Sequence, residues 1–153
     1  MNVYSIGFAS VALGIARGAL GAFVDLAAAK TPHLGSSPLR EDPVVQFQVA
    51  RAEADVRSAR AFLFQTVRDA WTEASADSLI PLEHRVLIRL ATTHAMHIAA
   101  GAVDVVYHAA GATAILTNQP FERRLRDVRA VTQQTGQAGP LQNRRSVLSW
   151  TGP

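Results

Sequence analysis

Proline in this chain falls mostly between stretches of helical periodicity, and that one regularity constrains the fold more than anything else. Pro32, Pro38, Pro81 and Pro120 each sit at a break, and Pro43 stands where a new helix can begin. Proline lacks a backbone N–H and clashes inside a helix, so it marks ends and first turns. The segments between the breaks are rich in alanine, the residue that helices favour most. No run alternates convincingly with the period of a strand. The expectation is an all-α chain, folded as an antiparallel up-down-up-down four-helix bundle.

Four segments follow. The first runs from about Val3 to Lys30. Asp42 can cap the second, whose first-turn residue is Pro43 and which extends for about thirty residues. The third runs from about Leu82 to Gly111. The fourth runs from Pro120 to about Gln134, with Thr117 and Asn118 as capping candidates. Within the second, Phe47, Ala50, Ala54, Ala61, Phe64 and Trp71 recur at helical spacing and predict the inner face. Arg51, Glu53, Asp55, Arg57 and Arg60 predict a charged outer one. On the third, Leu87, Leu90, His94, Ile98, Gly101 and Val105 predict a bundle seam. Ala91, Ala95, Ala99, Ala100 and Ala102 would keep that helix thin. On the fourth, Phe121, Leu125 and Val128 predict the inner side. Residues 1–135 then form the bundle domain, and 136–153 an extended tail anchored by Trp150.

At 153 residues the chain fits one domain, able to bury roughly 70% of its unfolded surface. It has no cysteine, which excludes disulfides, thiolate catalysis and cysteine-based zinc sites and points to a cytoplasmic home. From Val3 to Leu26 only Arg17 and Asp25 are charged, close to a membrane-spanning length. Arg17 would then sit mid-bilayer at a cost of roughly 2.5–3.5 kcal/mol. Glycines at 7, 14, 18 and 21 recur as in a helix pressed against a neighbour. A buried bundle helix is the preferred reading, with no membrane partner. The net charge of +3 is spread among acids, so a nucleic-acid partner is disfavoured.

Several side chains could carry chemistry. His94 and His97 stand one turn apart and could share a metal, but the carboxylates a bundle site wants from facing helices are missing from the pattern, so no metal is expected. His108, after Tyr107, has the right chemistry for proton transfer but no recognisable triad partner. Arg123, Arg124, Arg126 and Arg129 could bind phosphate. The plainer reading is intrahelical pairing, with Glu122 and Arg126 four apart and Asp127 three after Arg124.

The order of these pieces resembles the C-terminal helical domain of the acyl-CoA dehydrogenase superfamily, nearest its flavin-dependent monooxygenase branch. The resemblance is carried by Ala12-Leu13-Gly14-Ile15-Ala16-Arg17-Gly18-Ala19-Leu20, by Pro43-Val44-Val45-Gln46 with Ala50 and Ala54, by the turn Ala110-Gly111-Ala112 and by Arg126-Asp127. It spans roughly residues 3 to 135. It implies FAD or FMN held between a β-barrel domain and this bundle. It also implies a homo-oligomer, a dimer or tetramer with bundles at its core, or a partner chain that supplies the missing domains. Positions matching the flavin-facing stretch are Gln46, Tyr107, Ala110 and Gly111. The resemblance further implies a histidine near Gln134 in the monooxygenases, and a glutamate near Thr135 in the dehydrogenases. Neither glutamine nor threonine can act as a general base near neutral pH. With no N-terminal helical domain and no barrel expected, the chain reads as a domain that is not catalytic alone. The alternatives are a non-catalytic assembly module and, less favoured, a nucleic-acid-binding helical domain.

Overall fold

The computed structural model describes residues 4–31, 37–74 and 80–133. They form four α-helices: α1 (Tyr4–Ala29), α2 (Pro43–Glu73), α3 (Leu82–Ala110) and α4 (Phe121–Thr132). Short 3₁₀ segments, Leu39–Glu41 and Gly111–Ile115, precede α2 and follow α3. No strand occurs among the described residues. Gln134, Thr135 and the tail with Trp150 lie outside the described residues.

Local chemistry accounts for the boundaries. Asp42 accepts from the backbone N–H of Val44 at 2.8 Å, and Pro43 occupies the first helical position as expected. Helix α3 stops at Gly111, whose φ of 58° and ψ of −144° suit glycine alone. Neither Thr117 nor Asn118 caps α4. Pro120 precedes the helix with no side-chain cap hydrogen bond, so its missing N–H and fixed φ set the start instead.

Helix α3 packs most extensively on α1 and α2, and α4 closes the open side of α1 and α3. The core is mostly alanine with a few large plugs. Ala9, Ala12, Ala16 and Ala19 of α1 and Ala91, Ala95, Ala99 and Ala102 of α3 belong to one buried cluster, where small side chains permit close packing. Phe23, Leu63, Met96 and Phe121 fill what remains. Both α1 and α3 are long and apolar enough to cross a membrane by length and composition. Here each turns its buried alanines into the shared core.

Three face assignments are corrected. In α2 the inner face is Ala52, Val56, Ala59, Leu63, Thr66 and Ala70. Phe47, Ala50, Ala54, Ala61, Phe64 and Trp71 are all exposed, Trp71 at 82%. In α3 the core face is Ile88, Ala95, Met96, Val103 and Val106, and the expected seam from Leu87 to Val105 flanks it, half-buried or exposed. In α1, a Cβ added at Gly7, Gly14 or Gly21 would meet nothing within 4 Å, whereas one at Gly18 would press on the Arg124 guanidinium. The physical reason is shared. Each long helix carries two stripes of small or apolar residues, and helical spacing alone does not rank them. On α4, Phe121 and Val128 are buried and Leu125 packs against the core, as the spacing predicts.

Candidate functional site

The chain brings three helix ends together. The C-terminus of α1, the N-terminus of α2 and the C-terminus of α3 meet at one end of the bundle, and Lys30 ties them. Its Nζ donates to the carbonyl of Ala110 at 2.7 Å and to Thr113 Oγ1 at 2.8 Å. Its own carbonyl accepts from Leu39 N–H at 2.8 Å. A lysine here satisfies an orphan carbonyl of α3 and complements the negative end of its dipole.

Tyr107, Ala110 and Gly111 gather at this corner. Tyr107 is half-buried, with its ring edge-on to His108 at 6.0 Å. Ala110 is fully buried and Gly111 exposed. Gln46 lies at the same end but lines a different surface, and its Nε2 donates to the carbonyl of Arg40 at 2.8 Å. The structure thus groups three of the four named positions and sets the fourth beside the next groove.

That groove runs between α1 and α2 and encloses about 640 Å³. Its floor is apolar, from Leu20, Phe23, Val45 and Val49, and its rim carries Arg17, Asp25, Arg40, Gln46 and Glu53. Arg17 and Arg57 both bond the Glu53 carboxylate, Arg57 Nε at 2.8 Å. Partial burial alone would raise the pKa of Glu53. The hydrogen bonds and positive charges of Arg57 and Arg17 outweigh that and hold it below the usual carboxylate range.

The remaining candidates resolve plainly. His94 and His97 are exposed, His94 edge-on to Phe62 at 6.3 Å. No group of three possible metal ligands occurs among the described residues. His108 is exposed, and its Nδ1 bonds the Asp104 carbonyl at 2.7 Å, so that nitrogen carries the proton. All four α4 arginines are engaged. Arg126 pairs with Glu122 at 2.7 Å as expected. Asp127 pairs with Arg123 at 3.6 Å rather than with Arg124. Arg124 reaches the Gly18 carbonyl, and Arg129 the Asp104 carboxylate. A phosphate would have to compete with each of these partners.

Sequence reasoning missed Lys30 as the tie and His84 altogether. His84 is buried, with Nε2 at 2.7 Å from Glu73 Oε2, and it joins the end of α2 to the start of α3. That its ring would face inward had no signal in spacing, because its partner is on another helix.

An all-helical bundle with a glycine-ended third helix, an arginine-rich fourth and a groove beside its first two defines a domain class rather than a complete active site. Residues 6–137 match the family model described as acyl-CoA dehydrogenase, C-terminal domain, and the chain belongs to that family. It is 37% identical over 123 residues to an indole-3-acetate monooxygenase of Pseudomonas putida, covering 80% of this chain and 32% of that protein. It is 29% identical to a pigment production hydroxylase of Rhodococcus erythropolis, over 84% of this chain and 33% of that one. Among solved structures it superposes on the HsaA monooxygenase from M. tuberculosis with a TM-score of 0.75 at 25% identity, covering 88% of this chain and 34% of that one. A nitroalkane oxidase from Podospora anserina shares the fold, with a TM-score of 0.76 at 20% identity over 98% of this chain and 34% of that one. The chain spans about a third of the length of these relatives.

Proposed function

We propose that this chain is the bundle part of a flavin-dependent oxygenase of the acyl-CoA dehydrogenase type, closing one wall of a flavin site and holding copies of the protein together, without catalysis of its own. The observation that carries this reading is the family match over residues 6–137, joined to 37% identity with an indole-3-acetate monooxygenase. FAD or FMN is the cofactor of the reading, and when bound it would supply the redox chemistry. A homo-oligomer, in the cytoplasm, belongs to the same reading.

The residues present fit one wall of such a site and no more. Exposed Gly111, which has no side chain, leaves backbone that a flat ring can approach, with half-buried Tyr107 on the same helix end and fully buried Ala110 behind. The Gln46 amide still has its oxygen as an acceptor, since only its nitrogen is committed to Arg40. Lys30 already spends two of its three donors on Ala110 and Thr113. At this corner the chain's own residues shape a surface, exclude water and fix the α3 terminus.

The test is a titration of the purified chain with FAD and with FMN, followed by visible absorbance. The expected outcome is no stoichiometric complex. A tight one-to-one yellow complex would overturn the claim that the wall is incomplete.

A further inference from the structure

Helix α4 is joined to the bundle differently from the three long helices. Half of its 12 residues are charged: Glu122, Arg123, Arg124, Arg126, Asp127 and Arg129. Its buried residues are Phe121, Val128 and Val131, with Leu125 packed against the core. Helix α3, by contrast, is buried at intervals along its whole length, from His84 to Ala110. A helix as short as α4 is marginal by itself in water. Lifted from α1 and α3 it would also lose its helical hydrogen bonds, so detachment and unwinding coincide.

Two arginines clip it in place. Arg124 donates to the Gly18 carbonyl of α1, and Arg129 to the Asp104 carboxylate of α3. Arg124 can lie so close over α1 because Gly18 has no Cβ, which would sit 3.2 Å from its Nη2. Other charges are spent inside the helix and would travel with it: Arg126 on Glu122 at 2.7 Å, Arg123 on Asp127 at 3.6 Å. The chain before α4 is pinned at the 3₁₀ segment, where Lys30 Nζ holds Thr113 Oγ1 at 2.8 Å. After that, Leu116 N–H bonds the Thr113 carbonyl at 3.3 Å and Gln119 N–H the Leu116 carbonyl at 2.9 Å. These are local turns that a swinging helix need not break.

We propose that α4 is a strap, hinged at residues 116–120 and clipped by Arg124 and Arg129, that opens as a unit while α1, α2 and α3 stay packed. Elements with little buried apolar surface open before the whole chain does. Opening would bare the Gly18 carbonyl, the Asp104 carboxylate and the flank of α1 and α3 beneath Phe121 and Val128. The strap needs no cofactor, and the flavin titration leaves it untouched.

Native-state hydrogen exchange of the full chain, read per residue by NMR at several low urea concentrations, tests it. Amides from Leu125 to Val131 should exchange together, at least about a hundredfold faster than those from Ala95 to Val106. Their urea dependence should be small, because opening exposes little surface. Val56→Ala, in the core of α2, should speed exchange in α3 and leave α4 unchanged, since α2 stays packed in the open form. Arg124→Ala and Arg129→Ala should each speed α4 on the order of tenfold. Circular dichroism checks that the variants keep their helices, and the comparison within the parent chain needs no variant. If α4 exchanges as slowly as α3 with the same urea slope, or if Val56→Ala speeds both alike, α4 leaves only with global unfolding and the strap is overturned. Unchanged α4 rates in both arginine variants overturn the clips.

Discussion

Lys30 at the end of α1 reaches across to the carbonyl of Ala110 at the end of α3, 2.7 Å away and eighty residues on in the chain. It is the single lysine of the chain, and it joins α1, the approach to α2 and the turn after α3 through one ammonium and one carbonyl. The half-buried position makes these bonds stronger than surface ones, because a charged donor in reduced dielectric has less water to return to.

Replacing that ammonium leaves the Ala110 carbonyl and Thr113 hydroxyl without their donor. Lys30→Met keeps the apolar stem and removes only the charge and bonds. It should cost about 1.5–3 kcal/mol, a fall in Tm of several degrees for a chain this size. Thermal unfolding followed at 222 nm checks it. A Tm within one degree of the parent would show that the tie carries no stability.

Leu63 and Phe64 are neighbours in sequence, about 100° apart around α2, one turned to the core and the other to solvent. Leu63 is 1% exposed and its side chain belongs to the core. Phe64 is half-exposed and lies under the Arg60 guanidinium at 4.4 Å. In dilute solution Leu63→Ala should cost about 2–5 kcal/mol, and Phe64→Ala less than about 1 kcal/mol, the scale of an exposed cation–π contact. Urea unfolding of the two variants measures the difference. Equal costs would refute the assigned faces.

Glycines in this chain divide by what surrounds them. A Cβ at Gly7 or Gly14 meets nothing within 4 Å, so alanine there should stabilise the chain by about 0.4–1 kcal/mol through lost freedom of the unfolded state. A Cβ at Gly18 would lie 3.2 Å from Arg124 Nη2. Gly18→Ala should therefore gain less than Gly14→Ala, and Arg124→Ala should remove the gap between them. Gly111, at φ 58°, should lose about 1–3 kcal/mol on conversion to alanine. Calorimetric Tm values for the series give the ranking.

Acid should act through Glu53. Its folded pKa lies below the unfolded value, because Arg57 and Arg17 stabilise the carboxylate more than burial disfavours it. The stability this contributes is present above the unfolded pKa and is lost as pH falls through the folded one. Glu53→Gln should therefore be less stable than the parent at pH 7, and the gap should shrink as pH drops below about 4. Denaturant midpoints at pH 7 and in the acid range test this. A gap independent of pH would remove Glu53 as the titrating group.

How much of this was written in the sequence differs element by element. Helix bounds were legible because Asp42, Pro43, Pro81 and Gly111 act through local backbone chemistry that needs no tertiary contact. The Glu122–Arg126 pair was legible for the same reason, being one turn apart. The family was legible too, since the order of the apolar runs, the glycine-ended third helix and the Arg126-Asp127 pair all survive in one dimension.

Inner and outer were not legible. Phe47, Phe64 and Trp71 have the spacing and the hydrophobicity of a core stripe, while the true core of α2 is the smaller set from Ala52 to Ala70. Only the assembled bundle decides between two apolar faces. The buried face of α2 carries Ala52, Val56, Ala59 and Leu63, while Phe47, Phe64 and Trp71 lie exposed. The ties of Lys30 to Ala110, Arg124 to Gly18 and Arg129 to Asp104 were likewise beyond reach, because each joins residues that no local spacing relates. Short-range hydrogen bonding and chain entropy act along the backbone and can be read there; packing acts between helices and exists only once they meet.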